Sequence, residues 1–293
     1  MASLDSIASA GASAGVTGRP GVLSRLIRNK SALIGGGLVL VFVLMALLAP
    51  ILPLADPFKS NFLAIRKPPS ELYWFGTDEL GRDQVTRLFF GAQASLLAGI
   101  VSVLIAVAIG LPFGLLAGWY GGWIDIVISR VTEALLACPF LILAIAFAAV
   151  LGPSLTNAMI AIGLSAVPIF IRLVRGQVMS VKAEDFVEGA RAVGARDLRL
   201  MFRHVLPNTL SPIVVQSTLF MAQAIILEAA LSFLGLGQQP PSPSWGQMLN
   251  VAKNFMEQAP WMSVAPGICI FLAVLGFNLL GDGLRDALDP KEN

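Results

Sequence analysis

The chain has 293 residues, 56% of them hydrophobic and only 13% charged, and its mean hydropathy of +0.78 is far above that of a soluble domain. A formal charge of +2 gives no broad cationic face for nucleic acid, and Cys138 and Cys269 sit in apolar runs without the spacing of a metal site or disulfide framework. The composition is that of an all-α integral membrane protein.

Residues 1–30 are rich in Ala, Ser and Gly and carry Arg19, Arg25, Arg28 and Lys30 without an apolar centre. They read as a flexible tail ending in a basic anchor, not as a signal peptide. Residues 31–52 are almost unbroken apolar sequence and, at about 1.5 Å per residue, reach roughly 33 Å, enough for one crossing. The basic residues before this first span predict a cytoplasmic start. Residues 53–90, broken by Pro53, Pro57, Pro68 and Pro69, form an external loop. The core at 91–280 then holds five further spans. The second, 91–118, carries Pro112 and glycines that allow close helix packing. Residues 119–123 make a short aromatic turn to a third span at 124–151, and Gly152, Pro153 and Ser154 turn the chain into a fourth at 156–174.

Lys and Arg at 172, 175, 182, 191, 196, 199 and 203 place the loop 178–208 in the cytoplasm. Ser211 and Pro212 read as the cap and first residue of a fifth span reaching about residue 234. Residues 235–259, with Pro240, Pro241 and Pro243, form a second external loop, 260–280 the sixth span, and 281–293 a tail. Six transmembrane helices put both termini in the cytoplasm.

The segment 183–207, AEDFVEGARAVGARDLRLMFRHVLP, is the longest charged stretch between two apolar ones. Phe186, Val187, Ala190 and Val193 fall at helical spacing, with Glu184, Asp185, Glu188 and Arg191 on the other faces. Gly194 interrupts this helix. Leu198, Met201, Phe202 and Val205 make a second, with Arg196, Arg199 and Arg203 on another side, and Pro207 is expected to end it. Taken alone, the pair either lies on the anionic inner leaflet or docks a protein partner.

Elsewhere, Glu133 and Glu228 lie in apolar runs, where an ionisable group is costly enough to be a functional candidate. Glu133 either serves the pathway or pairs with Arg130 at i−3, and Glu228 either lines the pathway or bonds across helices. Asp78, Arg82 and Asp83 form either an external partner contact or a local salt-bridged turn. There is no inverted repeat, no GxxxxGK[ST] phosphate loop and no catalytic or metal cluster in the sequence. ATP-driven work therefore needs another subunit to bind the nucleotide. A self-contained channel or secondary carrier is the alternative of a different class, and a non-transporting membrane scaffold is a third.

Glu188, Gly189, Ala190 and Gly194, followed by Leu206 and Pro207, resemble the EAA signature of ATP-binding-cassette importer permeases. The spacing matches throughout, with Gly189 and His204 departing from the usual Ala and Ile. GTDELGRD at 76–83, LSFLGLG at 231–237 with PPSPSWG at 240–246, and FNLLGDGLRDALDP at 277–290 are similar to the C-type membrane subunit of bacterial dipeptide and oligopeptide permeases, a group that includes nickel and glutathione systems. The resemblance implies the type I importer permease fold in a bacterial inner membrane, multi-pass, forming half of a pathway for peptides, with nickel and glutathione as open alternatives. It implies a second homologous permease subunit in a heterodimer, two ATPase subunits that bind ATP and Mg, an external substrate-binding protein, and surrounding lipid. This chain would hold no cofactor and catalyse no bond chemistry. Phe186, Val187, Ala190 and Val193 would supply the buried ATPase contact, with Glu188 and Arg191 paired at its rim.

Overall fold

The computed structural model describes residues 22–288; the expected tail up to residue 21, with Arg19, and residues 289–293 lie outside it. Among the described residues the chain is helical, with a lone antiparallel bridge between Thr77 and Asp83 and no strand. Helix α1, Val22–Arg28, falls where the sequence reading placed a flexible tail, yet it packs on the last helix and leaves Leu26 half-buried. Helix α2, Lys30–Leu48, is capped by Asn29, whose Oδ1 accepts from Ala32 N at 3.1 Å and whose Nδ2 donates to Asp286 at 2.8 Å.

Helix α3, Gln84–Tyr120, runs 37 residues, roughly 55 Å, and overshoots a hydrocarbon core by far. The expected second span is therefore only its central part. Asp83 starts it, accepting from Thr86 N at 2.9 Å and Thr86 Oγ1 at 2.7 Å. Gly121 and Gly122, both at positive φ, then turn the chain sharply.

The expected single span at 124–151 is two helices, α4 (Gly122–Leu136) and α5 (Phe140–Leu151), bent by 92°. Pro139 explains the break. It offers no backbone donor, and it pushes Cys138 out of helical conformation. Helix α6, Leu155–Lys182, begins at the Ser154 cap and outruns the expected fourth span by two turns.

The core is built on α3 against α6. A Cβ on Gly114 would sit 2.6 Å from Val174 Cβ, and one on Gly118 2.8 Å from Val178 Cβ, so glycines four apart let the two backbones touch. Any larger residue would force the pair apart. On α4, Asp125 accepts from Arg175 of α6 at 2.5 and 2.7 Å, which fixes α4 to the same body.

After α6 come α7 (Asp185–Ala192), the single turn α8 (Asp197–Arg199), a π-helical turn over Leu200–Val205, and α9 (Leu206–Phe233). Pro207 does not stop this run, and Pro212 lies inside α9 instead of opening a separate helix. The π turn accounts for the difference. Its wider ring, closed by Leu206 N to Met201 O, loosens the carbonyl ladder just where Pro207 brings no donor and needs room. Phe220 of α9 packs edge-on between Phe140 and Phe170, with ring centroids 5.9 and 6.0 Å away.

Helix α10, Trp245–Ala252, lies in the loop before α11, Trp261–Leu288. The expected C-terminal tail is helical as far as residue 288, as the last turns of α11. Gly35 of α2 and Gly276 of α11 give these helices close contact. By length and composition five helices can cross a membrane, or six if the bent α4–α5 pair is one span.

Candidate functional site

The loop between α6 and α9 is shaped by its own backbone. Ala183 and Glu184 leave helical conformation, and α7 follows with Asp185 and Glu188 in its first turn and Arg191 in its last, each matching the helix dipole. Gly194 stands at φ +86°, donating to Arg191 O at 2.9 Å, while Ala195 N donates to Ala190 O at 3.1 Å. These are the two bonds of a Schellman motif, so the glycine that the sequence marked as a bend is the left-handed residue closing α7. The place a Cβ would take on Gly189 is open space, so that departure from the usual Ala costs no packing.

The apolar residues of this loop divide into two sets. Val187 is 0% exposed and packs with Leu200, Met201 and Val205 under the π turn, with Ala190 half-buried beside them. Phe186, Val193, Leu198 and Phe202 point away from the chain, and Val193 is 86% exposed. Val187 therefore holds α7 to its own chain, and the outward set is what another protein would meet. An open hollow of about 360 Å³ lined by Gly194, Arg196, Leu198 and Arg199 lies beside them. Leu206 is half-buried, and Pro207 and Glu188 are exposed. The expected rim pair of Glu188 and Arg191 is not formed among the described ion pairs. Arg191 instead lies over the indole of Trp119, 5.6 Å from its centroid.

At the other end of α3 the candidates are internal. Asp78 and Arg82 are buried and joined at 2.6 Å, Arg82 also reaches Glu79 at 2.6 Å, and Asp83 is the α3 cap. The arrangement is the salt-bridged turn of the two alternatives. Burial, and then the Asp78 charge, raises the Glu79 carboxyl above the usual carboxylate range. Arg87, which the sequence reading did not single out, is the hub. At 2% exposure it meets Asp78 at 3.3 Å and donates to Pro57 O at 3.0 Å, Pro241 O at 3.3 Å and Gln247 Oε1 at 3.2 Å. One guanidinium thus ties both long loops to the start of α3.

Glu228 is 0% exposed in α9, accepting from Ser95 of α3 at 3.0 Å and from Ser232 at 2.7 Å. Ser232 in turn accepts from Gln238 N at 2.9 Å, so the carboxylate bonds across helices and carries on into the following loop. Glu133 is exposed and pairs with Arg130 at 3.2 Å, as its i−3 spacing predicts. No group of His, Cys, Asp or Glu fit for a metal occurs among the described residues. The signal for Arg87 was present as a lone cation at the head of an apolar run, and that for Trp119 as an aromatic before a double glycine.

Comparison with known proteins accords with this geometry. Residues 110–293 match the family described as binding-protein-dependent transport system inner membrane component, and residues 21–69 match the N-terminal TM domain of oligopeptide transport permease C. The chain is 49% identical over 267 residues to the dipeptide transport system permease protein DppC of Alkalihalophilus pseudofirmus, covering 91% of this chain and 88% of that one. It is 49% identical over 268 residues to the glutathione transport system permease protein GsiD of Salmonella paratyphi A, with the same coverage of 91% and 88%. Among solved structures it resembles an inward-facing conformation of the MetNI methionine ABC transporter, with TM-score 0.56 and 21% identity over 68% of this chain and 95% of that one. With its glycine-packed apolar spans, the chain is a multi-pass membrane protein that belongs to the binding-protein-dependent transport system inner membrane component family.

Proposed function

We propose that this chain is one permease subunit of an ATP-driven importer of short peptides and forms half of its translocation pathway. The observation that carries the reading is the set Phe186, Val193, Leu198 and Phe202, held outward by a loop whose spacing matches the EAA signature. Uncovered apolar side chains on and just after a short helix with charged ends are what a groove on an ATPase accepts. Partner ATPases bind the ATP and Mg, a homologous second permease completes the pathway, and an external binding protein delivers the substrate. The basic residues between 172 and 203 support a cytoplasmic loop, and six crossings, with α4–α5 as one, then leave both termini inside. Residues 53–83 and 235–259 are then the external loops.

The relatives named for dipeptide and glutathione transport support a peptide substrate. The test is uptake into proteoliposomes by this chain assembled with its companion permease, ATPases and binding protein. ATP-dependent uptake of labelled dipeptide or glutathione is expected. Glu188→Lys and Gly194→Pro should leave the chain inserted and the ATPases active, with uptake lost. Peptide flux through this chain with no ATPase present would overturn the reading in favour of a self-contained carrier.

A further inference from the structure

We propose that Trp119, Lys182 and Arg191 form a positioning joint that makes α7 move as one body with α3 and α6. The inference rests on the proposed role of the α7 loop as the ATPase contact and concerns what happens on the membrane side of that contact.

The chain itself gives α7 little hold on the spans. Ala183, at ψ 0°, and Glu184, at ψ 143°, form a two-residue non-helical link, and such a link lets a helix swing about it. Val187 is the one residue of α7 that is fully buried. A push on α7 would then be absorbed by bending at the link unless something braces its far end.

The brace is at Trp119. This residue lies in the last turn of α3 and is 3% exposed. Lys182, the last residue of α6, donates from Nζ to Trp119 O at 2.6 Å, satisfying a carbonyl that the end of α3 leaves without a helical partner. The same ammonium is 5.3 Å from the indole centroid, and Arg191, in the last turn of α7, is 5.6 Å from it. Three helix C-termini thus meet on one side chain. Cations near helix C-termini also suit the dipoles of all three.

Behind the joint the structure is stiff. Gly118, one residue before Trp119, stands against Val178, where a Cβ would be 2.8 Å from Val178 Cβ. The α3–α6 pair has no freedom to slide there, so a displacement accepted by the indole passes into both helices together. The link at Ala183–Glu184, Val187 under the π turn and the brace at Trp119 hold α7 at its start, middle and end, and the brace is the hold that ties it to α3 and α6.

The test uses the complete transporter in proteoliposomes, reading peptide taken up per ATP hydrolysed and complex recovered after assembly. Trp119→Leu should assemble, and because it removes the ring from under both cations, uptake per ATP should fall at least about fivefold, the change that loss of one such contact produces. Trp119→Phe keeps a ring and should retain most of the ratio. Lys182→Gln should lower the ratio and Lys182→Arg should restore it, a rescue that a merely stabilising contact would not show in this readout. If Trp119→Leu fails to assemble, the Lys182 pair decides. An unchanged ratio in assembled Trp119→Leu, or in Lys182→Gln if the former does not assemble, overturns the joint. Absence of ATP-driven uptake by the unaltered transporter would instead overturn the function on which the joint rests, so the two failures are told apart.

Discussion

At the N-terminal end of α3, Asp78, Arg82 and Arg87 are spent on one another and on the carbonyls of Pro57 and Pro241. At its C-terminal end, Phe186, Val193, Leu198 and Phe202 stand exposed, with Arg196, Arg199 and Arg203 around them. Both ends are charged loops between apolar helices, and hydropathy alone does not separate them. What separates them is where the charges go: at the first end Asp78, Arg82 and Arg87 are buried and paired with one another, although Phe62, Leu63, Leu72 and Trp74 of the same loop stay exposed, whereas at the second the arginines are exposed together with the apolar set. Buried charges paired with one another hold a loop in place, and exposed charges beside apolar side chains leave a surface for another protein.

The sharpest way to break this contrast is at Arg87. Replacing it with Met should destabilise the chain by about 3 kcal/mol, because it strips a charge partner from buried Asp78 and a donor from two loop carbonyls. The thermal midpoint of the purified complex should fall, and a midpoint equal to the unaltered protein's would mean the hub is not one. Glu228→Leu should cost less, about 1–3 kcal/mol, since it leaves the Ser95 and Ser232 hydroxyls without their acceptor in the core. Glu228→Gln should keep uptake near the unaltered level in the same transport assay, and a marked loss would assign Glu228 to the pathway instead. At the other end the expected stability change is smallest. Phe186→Ser with Val193→Ser should shift stability by no more than about 0.5 kcal/mol, yet weaken recovery of the ATPase with the permease. A large loss of stability with normal ATPase recovery would reverse the contrast.

Much of the fold was legible in the sequence. Long apolar runs located six spans, matched by five long helices and the bent α4–α5 pair, and the glycines of the second span announced close helix packing without telling that α6 is the partner. The failures came at prolines. Pro139 was read through as part of a span and breaks it, whereas Pro207 was read as a stop and is carried inside a helix. A proline removes one donor in every case, and whether a helix survives depends on the neighbouring carbonyls, which spacing does not report. The π turn before Pro207 supplies that relief and has no signature in the hydrophobic period.

The candidate loop was legible in outline because the Glu188–Gly194 spacing and the apolar period are local properties. The facing of its apolar residues was not. Val187, on α7, and Val193, just past its end, are the same residue type, and one is buried while the other is almost wholly exposed. The difference comes from the π turn folding over Val187, a contact between segments more than ten residues apart. Asp78 and Arg82 illustrate the same limit, since four-residue spacing showed that they pair and only the fold shows that the pair is buried.

Residues 197–233 form one uninterrupted helical run of 37 residues that starts beside the exposed Leu198 and ends past Glu228. Near its middle, Leu219 is pressed against Gly281 and Phe220 is gripped between Phe140 and Phe170. The α-helical part of that run, α9, is a rod of roughly 42 Å gripped at its centre, and such a rod behaves as a seesaw. A tilt of about 10° carries each end about 4 Å in opposite directions, by the length of the rod alone. The far end does not travel by itself, because Ser232 grips Gln238 of the following loop and Glu228 grips α3. Whatever sways Leu206 on one side must therefore also displace, in the opposite sense, the loop that follows Phe233 on the other.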